Sequence, residues 1–364
     1  MSATHASITF NRKAVLIVGN FLSAAGYTRQ FCEDLAERLR AVGWSVVTTS
    51  HKPNRLARLV DMVTTAWRRR NEYEVAQVDV FSGPAFFWAE AVCWTLQRAG
   101  KPYILTLHGG NLPEFACRYP KRVSRLLNSA AAVTTPSRYL LEQMKTYRSD
   151  IHLIPNALDL SRYRFRLRQK AQPRLVWLRS FHSIYNPTLA PRMLAQLVSE
   201  FPNIHLTMVG PDKGDGSLQA TQKVTEELGL NGHIAFPGGV PKASVPDWLD
   251  KSDIFINTTN VDNTPVSVLE AMACGLCVVS TNVGGIPYLL EHEKDALLVP
   301  PDDPKAMAEA VRRILIEPRL AEHLSKNARK KVEQFDWSVI LPKWECLLEA
   351  VRHNKGKAER EIKR

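Results

Sequence analysis

The sequence predicts an α/β protein of two domains, each with helices packed on a parallel sheet. Three observations predict it. A chain of 364 residues, 45% apolar and 23% charged, can bury two hydrophobic cores and has the balance of a globular protein. Its opening reads strand, helix, strand, a unit that makes the two strands parallel. The same alternation begins again at Leu175.

In the first domain, Lys13–Gly19 (KAVLIVG) is an apolar run of buried-strand length, followed by a loop Asn20–Gly26. Phe31, Leu35 and Leu39, spaced by four, predict a helix from about Tyr27 to Val42, which Gly43 stops before a second strand, Trp44–Thr49. No G-x-G-x-x-G follows the first strand, which disfavours a dinucleotide oxidoreductase. Leu56, Leu59, Val60, Val63, Ala66 and Trp67 share one face of a helix over Arg55–Arg70. That stripe either packs on the domain core or lies at an anionic membrane surface, with Trp67 at headgroup depth and Arg68–Arg70 beside it.

Val78–Phe81 is a strand, and Ser82-Gly83-Pro84 opens a helix over Ala85–Ala99. Tyr103–Leu107 is a strand ending in His108-Gly109-Gly110. Ligands of open parallel sheets bind beyond the carboxyl ends of the strands. His108, with Gly109 and Gly110 behind it and Gly26 near the same cleft, is open to a substrate there, although a lone histidine is usually structural. A strand Ala131–Thr134, a helix from Arg138 to about Lys145 and the turn Pro155-Asn156 complete the domain. Leu160–Pro173, basic and without a regular pattern, reads as the linker. These marks divide the chain into 1–165, joined by a C-terminal helix 336–353, and 166–335.

The second domain places strands at Leu175–Leu178, Ile204–Val209, His233–Phe236, Ile254–Asn257, Val278–Ser280 and Leu297–Val299. Between the fourth and fifth lies the most informative stretch, IFINTTNVDNTPVSVLEAMACG (254–275). Thr264 is suited to cap a helix and Pro265 to begin it; Val266, Leu269 and Ala273 give it an apolar face, and Gly275 ends it. The free amides over 264–267 form an anion site, with Asp262 beside it and Glu270 more than a turn inside the helix. A ligand carrying a diphosphate and several hydroxyls, such as a sugar nucleotide, satisfies both. Taken alone, the stretch reads first as an ordinary strand–loop–helix unit with one cap-region acid and one surface acid.

Charge is uneven. Residues 1–165 carry 22 Lys and Arg against 12 Asp and Glu, residues 166–335 carry 19 of each, and the tail carries 7 against 5. A basic first half implies an anionic surface or substrate for one domain only. No helix-turn-helix, zinc-finger or RNP-type pattern supports nucleic acid as that partner. Six scattered cysteines suit a reducing compartment, and Cys274-Gly-Leu-Cys277, with no second pair, reads as packing rather than as a metal site. No secretory signal and no run of membrane-spanning length is apparent. The expected location is cytoplasmic, with peripheral attachment at the inner face of the membrane through 55–70.

Asp262-x7-Glu270, followed by EAMACGLCVVSTNVGGIP (270–287), resembles the donor-binding signature of the family 4 retaining glycosyltransferases, which have the GT-B fold. LTLHGG (105–110), Pro136-Ser137 and IHLIPNALD (151–159) resemble further motifs of that family in order, so the resemblance spans nearly the whole chain. Several positions depart from it, among them Cys277 where proline is common and Tyr288 where an acid is common. Asp262 stands where the first acid is usually Glu, Ala157 replaces a glycine, and the lysine that accompanies Arg179 is missing, its place taken by Tyr185, Asn186 or Pro187.

The resemblance implies two Rossmann-like domains facing a cleft, with a C-terminal helix crossing back to the first. It implies sugar transfer with retention, without metal or cofactor, from a UDP-, GDP- or ADP-sugar to a saccharide or lipid-linked acceptor in polysaccharide or glycolipid synthesis. Glu270 would hold the ribose and Asp262 the transferred sugar. Arg179, Asn263, Thr264, Pro265 and Val266 would surround the diphosphate, with Gly210 and Lys213 in a neighbouring loop. His182 or Lys213 would replace the missing lysine, and His108 would act from the first domain. That missing lysine also leaves an alternative in view: a non-catalytic subunit of the same fold that binds a sugar nucleotide or a partner transferase.

Overall fold

The computed structural model describes residues 13–25 and 29–362, and side chains as far as His353. Gly26 and the expected helix start at Tyr27 lie outside the described residues. The chain divides into two compact units: 1–136, 140–156 and 338–364 in one, 137–139 and 157–337 in the other.

The first unit is built on a six-stranded parallel sheet. Its strands are β1 (Ala14–Val18), β2 (Ser45–Thr49), β3 (Val75–Val80), β4 (Tyr103–Leu107), β5 (Ala132–Thr135) and β6 (Ile151–Leu153), in spatial order β2-β1-β3-β4-β5-β6. The helices are α1 (Phe31–Ala41), α2 (Arg55–Arg68), α3 (Pro84–Arg98), α4 (Leu112–Arg118), α5 (Pro120–Ser129) and α6 (Arg138–Met144). Asn54 caps α2 by accepting from the Leu56 and Ala57 amides, and Pro84 begins α3 behind Gly83, whose φ of +69° suits glycine.

The pattern predicts β3 over Val78–Phe81. In the structure β3 begins at Val75, and the buried Gln77 amide nitrogen donates to Asp79 and to Thr106, both at 2.8 Å, while its carbonyl oxygen has no partner among the described residues. Helices α4 and α5 were not anticipated. On α2, Arg58, Met62 and Ala66 face inward, whereas Leu56, Val60 and Trp67 are exposed.

The second unit repeats the plan with β7 (Arg174–Leu178), β8 (His205–Val209), β9 (Ile234–Gly238), β10 (Ile254–Asn257), β11 (Cys277–Thr281) and β12 (Leu297–Val299), in order β12-β11-β10-β7-β8-β9, all parallel. Around it lie α7 (Leu189–Leu194), α8 (Ser217–Glu227), α9 (Val245–Asp250), α10 (Val266–Ala273), α11 (Ile286–Leu289), α12 (Pro304–Ile316) and α13 (Leu320–Val332). β10 and β11 are buried along their whole length, and two apolar layers, one centred on Trp177 and Leu194 and one on Phe255 and Met272, cover the two faces. Cys274 and Cys277 belong to these layers, and burial pushes both thiols up to about 12.

The segment expected to be an irregular linker is ordered. Tyr163 is buried, and fully buried Arg168 donates to the Ser252 carbonyl at 2.7 Å and pairs with Asp253 at 3.3 Å. Such partners lie far along the chain, where local pattern carries no sign of them. The last helix, α14 (Trp337–Ile362), belongs to the first unit from Ser338 on. Glu345 accepts from the Trp44 indole at 3.0 Å, and Arg352 pairs with Glu74 at 3.1 Å. It runs past the expected end near Val351.

Candidate functional site

In an open parallel sheet, a ligand crevice forms where the strand order reverses, because the loops leaving the two adjacent strands diverge to opposite faces. In the second unit that point lies between β7 and β10. The loop after β7 carries Arg179, and the loop after β10 carries Asp262 and leads into α10.

Arg179 and Asp262 form an ion pair, with side chains 15% and 13% exposed. The Arg179 guanidinium also lies over the Tyr185 ring, 4.2 Å from its centroid. Burial lowers the Arg179 pKa, yet an arginine starting at 12.5 keeps its charge. Arg179 Nε has no partner among the described residues, so the fork is not saturated by Asp262. Tyr185, one of the residues standing in place of the missing lysine, thus supplies a ring that holds the arginine rather than a second charge.

Two glycine contacts fix this geometry. A Cβ on Gly210 would lie 1.6 Å from the Arg179 carbonyl oxygen, and one on Gly285 would lie 1.8 Å from the Asn263 carbonyl oxygen. The loop after β10 is further pinned by the Thr258 hydroxyl, which accepts from Trp177 at 2.8 Å and donates to the Tyr185 carbonyl at 2.6 Å.

The entrance to α10 differs from expectation. Pro265, not Thr264, is the cap residue (φ −69°, ψ 116°), and no side chain caps the helix. The Asn263 amide is already engaged by Asp262 at 2.8 Å. The Val266 and Ser267 amides find no acceptor among the described residues, and the buried Ser267 hydroxyl has none either. An uncapped helix start with a spare hydroxyl has the dipole and the donors to receive an anion. Ser267 escaped the sequence reading because it sits within an apolar run.

Glu270 lies in the next turn of α10 and is 1% exposed. Its Oε1 accepts from the Tyr163 hydroxyl at 2.6 Å and pairs with Lys242, whose side chain is 61% exposed. Burial, followed by the Glu270 charge, pushes the Tyr163 phenol well above its usual value, so it remains a donor. Neither Tyr163 nor Lys242 was visible from the sequence, since each meets Glu270 only through the fold. Lys213 engages this neighbourhood through its backbone alone, its amide donating to the Phe181 carbonyl at 3.2 Å. The His182 ring accepts from the Ile184 amide at 3.2 Å, which makes it a turn residue.

In the first unit, strand order reverses between β1 and β3. His108, just past β4, meets Asp79 there: Nε2 lies 3.0 Å from Asp79 Oδ1, and Phe81 stacks on the imidazole with centroids 5.1 Å apart. Asp79 was missed; its signal was an acid at a strand's carboxyl end. Gly19 packs closely beside it: a Cβ there would lie 2.6 Å from Asp79 Oδ2 and 2.7 Å from Cys32 Sγ, so a side chain would displace one or both. Gly109 adopts φ +88°, and both it and Gly110 have open space where a side chain would be. A recess between α2 and α3, lined by Met62, Phe81, Trp88 and Val92, opens next to Asp79.

Residues 163–331 match the family described as Glycosyl transferases group 1, and residues 24–162 match Glycosyltransferase Family 4. The chain is 28% identical over 247 residues to TuaC of Bacillus subtilis, a glycosyltransferase whose assignment to teichuronic acid biosynthesis is itself provisional; the match covers 65% of this chain and 61% of that protein. It is 24% identical over 286 residues to the phosphatidyl-myo-inositol mannosyltransferase of Mycolicibacterium smegmatis, covering 75% and 70%. Among solved structures, Anabaena HepE in complex with UDP and glucose superposes with a TM-score of 0.72 at 17% identity, over 93% of this chain and 100% of that one. Sucrose-phosphate synthase from Thermosynechococcus elongatus does so with 0.70 at 19%, over 96% and 99%. At these identities the structural likeness is one of fold, the GT-B fold.

Proposed function

Because the chain belongs to the group 1 glycosyltransferases of family 4, we propose that it moves a hexosyl group from a nucleoside-diphosphate sugar to an acceptor hydroxyl with retention of configuration. The observation that carries the reading is the set of groups around the start of α10: Arg179 with unsaturated donors, two free amides and the Ser267 hydroxyl, and the fixed carboxylate of Glu270. A diphosphate fits the first three and ribose hydroxyls fit the last. As the glycosidic bond breaks, charge grows on the departing phosphate, and prearranged donors lower that barrier most. Asp262 would orient the transferred sugar through its hydroxyls while sharing Arg179, whose planar fork can hold a carboxylate on one edge and a phosphate on another. The residues named need no metal for this task.

HepE has been crystallised with UDP and with UDP-glucose, which supports a uridine nucleotide as the first donor to try. On the first unit, His108 and Asp79 would sit at the acceptor. The acceptor would be a saccharide or a lipid-linked saccharide in polysaccharide or glycolipid synthesis. Leu56, Val60 and Trp67, exposed on α2 with Arg55 and Arg68, would rest on an anionic membrane, giving a cytoplasmic enzyme peripheral to the inner face. Among the described residues no helix is long and apolar enough to cross one.

The test is a thermal-shift panel of UDP-, GDP- and ADP-sugars on wild type and Glu270→Ala. A ligand at 100 times its Kd adds about 2.7 kcal/mol of stability. One nucleotide should shift the wild type and leave Glu270→Ala unmoved. If none shifts the wild type, the donor reading is wrong.

A further inference from the structure

The groups that would face a diphosphate carry little net positive charge, since Asp262 offsets Arg179. Resting on the reading of Glu270 as the ribose carboxylate, we propose that Lys242 is the second phosphate-binding cation of this site. It would leave Glu270 for the nucleotide's phosphate as the ribose hydroxyls arrive.

Four observations carry this. Lys242 lies in the short turn 242–244 between β9 and α9, and its amine reaches the buried Glu270 carboxylate from a side chain that is mostly in solvent. The lysine end of this pair stands in solvent, so the ammonium can leave it without being desolvated itself. Glu270 does not depend on the lysine to stay satisfied, because the Tyr163 hydroxyl holds the same oxygen from inside at 2.6 Å. Finally, the other basic side chains of the neighbourhood are placed otherwise: His182 accepts a hydrogen bond within its own turn, and Lys213 is not among the partners of the Glu270 carboxylate.

The chemistry of the ligand completes the argument. A nucleoside 5′-diphosphate carries its ribose hydroxyls and its first phosphate one sugar ring apart. The flexible four-carbon stem of lysine, ending in a compact charge, can swing across that span. As ribose hydroxyls take over the Glu270 carboxylate, the ammonium gains a charge-assisted bond to phosphate, which is stronger than the exposed pair it gives up. The exchange also supplies the cation lacking at 185–187 from a different loop.

The experiment is calorimetric titration of wild type and Lys242→Met with the diphosphate, monophosphate and nucleoside of one base, taking whichever of UDP, GDP or ADP binds the wild type. Lys242→Met should weaken the diphosphate and the monophosphate about tenfold or more, at least 1.4 kcal/mol, and leave the nucleoside within about twofold. The salt dependence of diphosphate binding should become shallower. Equal losses for all three ligands would make Lys242 a shaping residue, tighter binding of all three would make it a mere competitor for Glu270, and no change would leave it without a role; each outcome overturns the proposal. A wild type that binds none of the diphosphates overturns the donor reading as well, which separates the two failures.

Discussion

Arg179 and Asp262, one just past β7 and the other in the loop after β10, are ion-paired across the point where the strand order of the second sheet reverses. The pair joins the two loops between which a nucleotide would enter. It also fixes each partner's free edge before any ligand arrives.

Removing one member of this pair should therefore cost both stability and transfer. Asp262→Ala leaves a largely buried guanidinium without its counter-charge. The expected loss is about 2 kcal/mol, below the range for a fully buried pair because both side chains keep some solvent contact. Sugar transfer should fall by at least about a hundredfold, while nucleotide binding, which depends on Arg179 and α10, weakens less. Urea denaturation and a transfer assay read the two effects; intact transfer in Asp262→Ala would remove Asp262 from the site.

Gly285→Ala tests the backbone contact beneath the same loop. Its φ of −84° suits any residue, so the substitution brings no dihedral strain. The added methyl would nevertheless meet the Asn263 carbonyl, and the 262–263 segment must move away. The expected result is destabilisation of about 1–3 kcal/mol with loss of most donor affinity. Unchanged affinity would show that the segment's position does not matter for the ligand.

Away from the site, Asp253 governs acid stability. Burial alone would raise its carboxyl, but the bonds from the Gln172 amide, Arg166 and Arg174 outweigh that and hold it below its ordinary 3.8. A depressed folded pKa means stabilisation that is present above 3.8 and lost as pH falls toward the folded value. Asp253→Asn should cost about 3 kcal/mol at pH 7, since it leaves fully buried Arg168 without its charge partner. The gap from wild type should narrow as pH drops below about 4. A gap that does not vary with pH would assign the loss to packing alone.

The exposed face of α2 makes a separate prediction. Arg69 is engaged by Glu72 and Arg70 lies over the Trp67 ring at 4.7 Å, so the basic end of the helix is ordered around an exposed indole. Cosedimentation with phosphatidylserine vesicles should fall about a hundredfold or more when Arg68–Arg70 are reversed to Glu, at roughly 1 kcal/mol for each positive charge lost. Leu56→Ser with Val60→Ser should weaken binding at high salt as well, where the charge contribution is screened. Indifference to both variants would return α2 to a purely structural role.

The elements were largely legible from the chain itself. Ile254–Asn257, Leu297–Val299 and Pro304–Ile316 have in the structure the bounds the pattern predicts, because apolar periodicity and a proline or an acid at a helix start are local signals. The second unit takes in 157–165 along with 137–139, which the pattern assigns to the first, and these residues include Tyr163, whose hydroxyl meets Glu270. Thr264 had the right chemistry for a cap, but the backbone turns one residue later, and no local rule distinguishes the two registers.

The sequence by itself determined the alternating strand and helix order, and its motifs single out Asp262, Glu270 and the strand-end His108. Arg179 is reached only through the resemblance to the family, since nothing beside it along the chain marks it. Tertiary structure alone decided that Tyr163 and Lys242 meet on one oxygen of Glu270, that Asp79 holds His108, and that Tyr185 lies under Arg179. These pairs come from different elements, and a hydrogen bond or ion pair depends on where two side chains end in space. Period and propensity describe only which way each residue faces from its own strand or helix.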